Sequence, residues 1–497
     1  MNNKILFYLL ALAAVAVYLG LVGLNRWGDD RRPQISLITP FTMVGPATPL
    51  GIHIEDNETG LKNVSIRIVQ NLETYPLVDQ QFPSHGALSL DGGIEHTFDF
   101  NVTPFADDTI PKRHGPATLI ITARDYSWNG FFEGNWAKVE QEFSVKFDPP
   151  TIDVLSLPLP ITVGGAGVIF YRVSNDAVRY GVQIGEAFFP GYPSPDEPYS
   201  SFSLIAFPYN LPITTPVQLL ADDGLGNQGI QNIDVTIQPK QWRTRQISIS
   251  DRFIEKTVIP IIAQTPDLTD AHDPLQNFLQ VNNGLRRKNA EQLKALAATS
   301  HEGFLWKGSF LQLSNSQVEA AFADHRKYIY QGKVVDTQDH LGFDLAVTKQ
   351  YPVEAANDGI VVLSEYFGIY GNTIVIDHGY GLQSLYAHLS SLEAKKGDHV
   401  LKGQMIARSG MTGLAAGDHL HFSLLLQGVQ INPLEWWDPN WVRTRISDRL
   451  RKNDPIEPAA ALSHTAIPVR PLDPADPFGT RKSVNPRPQF PPPPPRP

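Results

Sequence analysis

The chain has 497 residues, with 51 acidic against 41 basic side chains for a formal net charge of −10, and it contains no cysteine. That balance disfavours a nucleic-acid partner, which calls for a concentrated basic face. The missing thiols exclude a disulfide framework and any thiolate metal site.

The run from Ile5 to Leu24 carries neither a charge nor a proline, the length of helix needed to cross roughly 30 Å of hydrocarbon. It is a membrane span or a signal peptide. It exceeds a signal-peptide core of about 7–15 residues, and Leu24-Asn25-Arg26-Trp27 offers no small-residue cleavage site. Residues 1–32 are therefore expected to form an uncleaved anchor and its flank. Lys4 lies on one side and Arg26, Arg31 and Arg32 on the other, so counting positive charges does not orient the span.

From 33 to 240, short apolar runs alternate with Gly, Pro, Asn and Asp. Val64-Ser65-Ile66-Arg67-Ile68, Phe143 to Phe147 and Ile233 to Ile237 have period two, as half-buried strands do. Ala123-x-Asp125-x-x-x-Asn129 and Ala221-x-Asp223-x-x-x-Asn227 share one spacing, with an offset of about one immunoglobulin-like domain. This predicts two immunoglobulin-like β-sandwich modules, 33–148 and 149–240, parted at Pro149-Pro150, whose work is spacing or docking. The paired Asp and Asn are read as turn-formers, with calcium binding as the alternative.

Residues 241–324 read as a helical linker or cap, with helices over Pro274–Val281 and Leu285–Ala298. Arg286-Arg287-Lys288 reads as a solvated helix face, or as a contact for an acidic wall polymer. Residues 446–497 are Pro-rich and end in Phe490-Pro491-Pro492-Pro493-Pro494-Pro495-Arg496-Pro497. With so few large apolar groups, a disordered tail is expected. The β modules and this tail are the places where a protein partner would dock.

Between them, residues 325–445 carry the chemistry. His340-Leu341-Gly342-Phe343-Asp344 offers an imidazole and a carboxylate four positions apart, and His419-Leu420-His421 offers two imidazoles that share one face of a strand. The sequence puts Asp344 at a strand end and His340 on the loop before it. Two histidines and one carboxylate suit zinc, with a fourth position left for water.

Three blocks in order make this region specific: His340-x-Gly342-x-Asp344-Leu345-Ala346; Gly371 to Gly379 with Tyr386-Ala387-His388-Leu389; and Gly410-Met411-Thr412-Gly413 with Gly417-Asp418-His419-Leu420-His421-Phe422. Together they resemble the lysostaphin-type (LytM-like) zinc metallopeptidases that cut peptidoglycan cross-bridges. The resemblance implies an antiparallel β-sheet metallopeptidase domain. One Zn2+ per chain would be held by His340, Asp344 and His421, with His388 and His419 as catalytic histidines. Ser423 departs from the Glu that many relatives carry there, which implies altered tuning and not loss of metal. His378 and His399 read as structural, and Trp436-Trp437 as core or lid.

The sequence thus describes a mainly β, membrane-anchored zinc metalloendopeptidase of the cell envelope. Its body would lie in the periplasm or wall space, and its substrate would be peptidoglycan stem peptides or cross-bridges. The alternative is a non-catalytic peptidoglycan-binding or amidase-activating scaffold on the same fold.

Overall fold

Period-two alternation puts every second side chain on one face of an extended chain, so a run such as Val64–Ile68 must find a sheet to bury half of itself. The computed structural model describes residues 3–90, 92–194 and 199–450, and there such runs do form strands, preceded by the helix Asn3–Gly28. The fold is mainly β. Residues 446–450 continue a short helical segment, and the rest of the Pro-rich stretch lies outside the described residues.

Two units emerge. One holds 1–153, 173–180 and 219–231, and the other holds 154–172, 181–218 and 232–497, as far as these are described. The stretch read as a second module, 149–240, is divided between them. Lys146 at the end of the first module is paired with Asp176 and Asp223 in the two returning segments.

In the first unit, Met43–Val44, Trp136–Val145, Gly115–Asp125, Leu61–Gln70 and Glu73–Gln81 form one sheet in that order, and Gln34–Leu37, Leu50–Glu55 and Thr97–Val102 form another. Leu50, Ile52 and Ile54 from the smaller sheet share a core with Val64, Ile66, Ile68, Leu119 and Ile121 from the larger. Each such buried side chain contributes about 1.5–3 kcal/mol. The expected strand Ile233–Ile237 is interrupted. Gln228–Ile233 ends there, and Ile237–Gln238 pairs instead with Ile161–Thr162.

In the second unit, the expected helices form one run from Pro274 to Ala297 with a π turn at Gln280–Leu285. It starts where Asp273 accepts a hydrogen bond from the Gln276 amide and Pro274 occupies the first turn. A further helical run, Asp251–Ala263, had no sequence forecast. Ile254, Val258, Ile261 and Ile262 on it pack with Phe278, Val281 and Leu285.

The central element is an antiparallel sheet in the order Gln317–Ala320, Phe343–Ala346, Leu420–Leu426, Leu382–Leu389, Asn372–Asp377, Gly359–Tyr366 and His399–Val400. Leu382–Leu389 and Leu420–Leu426 are buried at every position, which explains why their sequences are not alternating. Leu293 of the 286–297 helix packs with Val375, Leu385 and Leu425 on one face. Met405–Arg408 lies in a smaller sheet with Pro352–Glu354 and Ser391–Leu392.

Candidate metal centre

Strand register brings the first two candidate groups together. Phe343–Ala346 pairs antiparallel with Leu420–Leu426 so that Asp344 stands directly opposite His421, while Phe343 and Leu345 turn into the core. The third group, His340, is the last residue of the strand Lys333–His340, so it sits on a strand end and not on the loop the sequence suggested.

The geometry is tight. His340 Nε2 lies 2.9 Å from Asp344 Oδ1 and 3.0 Å from His421 Nδ1, and His421 Nδ1 lies 2.9 Å from the same Asp344 oxygen. One candidate ligand atom from each of the three falls within 4.8 Å of the others. Gly342 makes this approach possible, because a Cβ there would sit 2.6 Å from both His421 Nε2 and Ser423 Oγ.

The opposite ring edges are also held. His340 Nδ1 lies 3.0 Å from the Ala321 carbonyl, an acceptor, and so must carry the proton. His421 Nε2 lies 3.0 Å from Ser423 Oγ, whose hydroxyl donates to the Leu341 carbonyl at 2.6 Å. Ser423 therefore accepts from His421, and each ring turns its unprotonated nitrogen to the shared centre, the tautomer a metal ligand requires. The Arg326 guanidinium donates to Asp344 Oδ2 at 2.9 Å and leaves Oδ1 facing the histidines.

His388 and His419 stand beside this group. His419 Nε2 is 3.5 Å from Asp344 Oδ1, and its Nδ1 is 2.9 Å from the Gly417 carbonyl. His388 Nδ1 is 2.8 Å from the Thr412 carbonyl, and its ring centre is 4.9 Å from that of His419. The backbone at His388 has φ of 61°, a left-handed conformation that costs about 1–3 kcal/mol and clusters at functional sites. Gly371, at φ 65°, lets the second block touch the third, since a Cβ there would lie 2.3 Å from the Thr412 backbone.

Electrostatics divide the histidines. Burial holds His340 down at about 4 and also lowers His421, so both are neutral near pH 7. Burial, with the neighbouring His419 and His421, keeps His388 well below its ordinary value. For His419 burial acts downward too, but the charge and hydrogen bond of Asp344 outweigh it and raise the ring. Asp344 would be raised by burial, yet His340 and His419 hold it well below the usual carboxylate range.

The remaining motif residues separate cleanly. His378 is fully buried between the Asp358 carbonyl and Ser384 Oγ, each at 2.7 Å. His399 is exposed on an edge strand. Trp436 is core against Trp306 and Phe310, and Trp437 packs on Phe343 and Phe422. Sequence reasoning missed Arg326, which lies outside the three blocks and carried no spacing signal.

A buried pair of imidazoles and a carboxylate on an antiparallel sheet, flanked by two more imidazoles, forms a donor set that could hold a metal ion. Residues 338–433 match the model of Peptidase family M23, and the chain carries a domain of that lysostaphin-like family. Over 96 residues, 19% of the chain, it is 40% identical to the peptidoglycan DD-endopeptidase ShyA of Vibrio cholerae. Over 95 residues it is 38% identical to the DD-carboxypeptidase/endopeptidase Mpg of Neisseria meningitidis. The matched stretch spans 22% of each of these relatives, about a fifth of their length. Among solved structures, the antimicrobial peptidase lysostaphin from Staphylococcus simulans is similar at 26% identity, covering 26% of this chain and 51% of that one, with a TM-score of 0.22.

Proposed function

We propose that the chain is a membrane-anchored zinc metalloendopeptidase that hydrolyses peptide bonds in peptidoglycan stems or cross-bridges. The observation that carries the reading is the convergence of His340 Nε2, Asp344 Oδ1 and His421 Nδ1 within 4.8 Å, with both ring tautomers fixed from behind. Two neutral nitrogens and one carboxylate oxygen fit a catalytic zinc, which prefers three protein ligands and an open position. Zinc, when bound, polarises the scissile carbonyl and acidifies the attacking water.

This chain's own residues do the rest. His419, oriented by the Gly417 carbonyl, takes the water proton at Nε2 and returns it to the leaving amine. His388, whose Nδ1–H donates to the Thr412 carbonyl, turns its unprotonated nitrogen to the site as an acceptor that orients the attacking water. Arg326 donates to Asp344 Oδ2 and fixes the direction of the carboxylate.

Anchoring draws on the helix Asn3–Gly28, the one described helix long and apolar enough to cross a membrane. Ile5, Phe7, Leu9, Leu12, Val15 and Leu21 on it are exposed, which water would penalise and lipid would not. Trp27, Trp128 and Phe132 cluster at its C-terminal end, as aromatic rings do at a bilayer interface. The catalytic body then works on the wall side of the membrane.

The test is product analysis by mass spectrometry on defined cross-linked muropeptides, together with zinc content. Zinc-dependent release of cleaved stem or bridge peptides is expected. An intact zinc site with no cleavage of any muropeptide would favour the wall-binding scaffold, and cleavage of unrelated peptides alone would remove the wall assignment.

A further inference from the structure

The helix Asn3–Gly28 does not stand clear of the protein along its whole length. Every residue from Lys4 to Leu21 is exposed, whereas Val22, Gly23 and Arg26 are buried. There the Trp128 amide donates to the Arg26 carbonyl at 2.8 Å, and the Tyr126 and Trp128 rings flank the guanidinium. The apolar run left free to meet lipid, Ile5 to Leu21, covers about 25 Å at 1.5 Å per residue, against roughly 30 Å of hydrocarbon. The first module therefore begins below the level at which the hydrocarbon ends.

Two parts of the module reach that level, and both carry uncovered apolar side chains. One is the loop from 83 to 94, which runs alongside the helix. Tyr18 Oη donates to the Leu88 carbonyl at 3.0 Å, and Asn25 Nδ2 donates to the Leu90 carbonyl at 2.7 Å. Tyr18 is about 14 Å nearer the helix N-terminus than Trp27, so Leu88 lies well below the cluster of Trp27, Trp128 and Phe132. The loop tip, Gly86-Ala87-Leu88-Ser89-Leu90, is free of charge between His85 and Asp91, and Leu88, Leu90 and Ile94 are exposed.

The other part is the turn after Trp128, where Phe131 is 98% exposed and Phe132 60%. Both have positive φ, 60° and 68°, a left-handed conformation that costs about 1–3 kcal/mol at each. Lys62 Nζ holds the turn in place by donating to the Phe132 and Glu133 carbonyls. Water offers nothing in return for displaying two adjacent rings on a strained turn, and acyl chains do.

Irregular backbone tolerates lipid only where its polar groups are bonded. In the loop they are: besides the two carbonyls bonded by the helix, the His85, Ser89 and Ile94 amides donate to the Gly92, Gly86 and Pro83 carbonyls. Tyr18 and Asn25, polar residues in an otherwise apolar stretch, are both engaged with this loop.

We propose that the Leu88–Leu90 loop tip and the Phe131-Phe132 turn insert into the headgroup and acyl boundary of the bilayer, so that the first module is seated in the membrane surface and not hung above it. The partner is lipid, continuous with the surface that the anchor helix meets, and the proposal rests on the anchoring reading above. Insertion completes the crossing that the helix leaves short and fixes the height of the module over the membrane. The module supplies its own control. The strand Leu61–Gln70 starts beside the anchor, where the Gly93 amide donates to the Thr59 carbonyl, and ends about 30 Å away at the turn bearing Leu72, which is 99% exposed.

Because the chain has no cysteine, single positions can be labelled in the full chain. Leu88→Cys, Phe131→Cys and Leu72→Cys, each carrying an environment-sensitive fluorophore, are reconstituted into phosphatidylethanolamine–phosphatidylglycerol vesicles with and without nitroxide-bearing lipid. Labels at positions 88 and 131 should shift to the blue and lose at least about half their emission to nitroxide held roughly 5–10 Å deep, where interfacial segments lie, and the label at position 72 should do neither. Carbonate extraction is run on the same vesicles. A chain that resists extraction while its labels at 88 and 131 emit as in water overturns the insertion and leaves the anchor standing. A chain that washes off removes the anchor and the insertion with it. Labels shielded from water yet untouched by lipid nitroxide, as a second copy of the chain would shield them, or a label at 72 quenched as strongly as the others, would also overturn the proposal.

Discussion

The two acidic centres of this chain, one in each unit, are built on opposite principles. At His340, Asp344 and His421 the carboxylate is surrounded by groups that favour its charge, and it sits well below the usual carboxylate range. At Asp29, Asp56 and Asp125 three carboxylates meet beside the buried Arg26 guanidinium, which interacts with Asp125 and Asp29, and burial raises Asp56 and Asp125 above their ordinary values. The first centre is prearranged by strand register, with Asp344 opposite His421. The second is gathered from a chain entry and two turns, whose amides hold the carboxylates of Asp56 and Asp125.

The sharpest way to break the comparison is to remove a ligand from the first centre. Asp344→Ala and His421→Ala are expected to lose zinc and muropeptide cleavage together, to background, as measured by metal analysis and mass spectrometry. Retained turnover in either variant would end the metal assignment. His419→Ala should retain zinc while turnover falls by about 10²–10⁴. Loss of metal with an undiminished rate would contradict its reading as a proton carrier.

A half-buried carboxylate elsewhere sharpens the contrast. Glu435, whose Oε2 accepts from the Ala166 amide at 3.0 Å, is pushed up to about 7 by burial, against that hydrogen bond and the charges of Lys240 and Arg445. A raised folded value favours the neutral acid, so stability is fully present below the unfolded value of 4.5 and is lost as pH rises through about 7. Glu435→Gln keeps the acceptor and removes the titration. It should equal the unmodified chain below about pH 4.5 and exceed it by up to about 3 kcal/mol at pH 8 in denaturant unfolding. Parallel pH profiles for the two proteins would show that Glu435 ionises freely.

How much of this was legible in the sequence follows from how each part is built. The histidine centre was readable because its ligands lie in short blocks whose glycines are forced by close approach. Gly342 has no room for a Cβ beside His421 and Ser423. Arg326 was not readable, since its tie to Asp344 is made across strands from outside every block. The helical run Asp251–Ala263 was missed because a π turn at Ile254–Val258 shifts its apolar positions off the regular period. In the acidic centre the sequence repeat found Asp125 and Asp223 but paired Asn129 with Asn227. The structure shows that Asn135 makes Asn227's bonds, and a turn of different length between Asp and Asn hides that equivalence.

The smallest expected effect tests how the first centre is held from behind. Ser423 accepts from His421 Nε2 and donates its own hydrogen bond to the Leu341 carbonyl, so one hydroxyl fixes both the ring and the turn that joins His340 to Asp344. Ser423→Ala removes that acceptor without filling space or adding charge. The ring then loses the bond that assigns its proton to Nε2, and zinc affinity should fall by about 10–100-fold, with cleavage restored at saturating zinc. If zinc affinity were unchanged, the orientation of His421 would rest on strand register alone, and the contrast between a tuned centre and a gathered one would narrow to the choice of donor atoms.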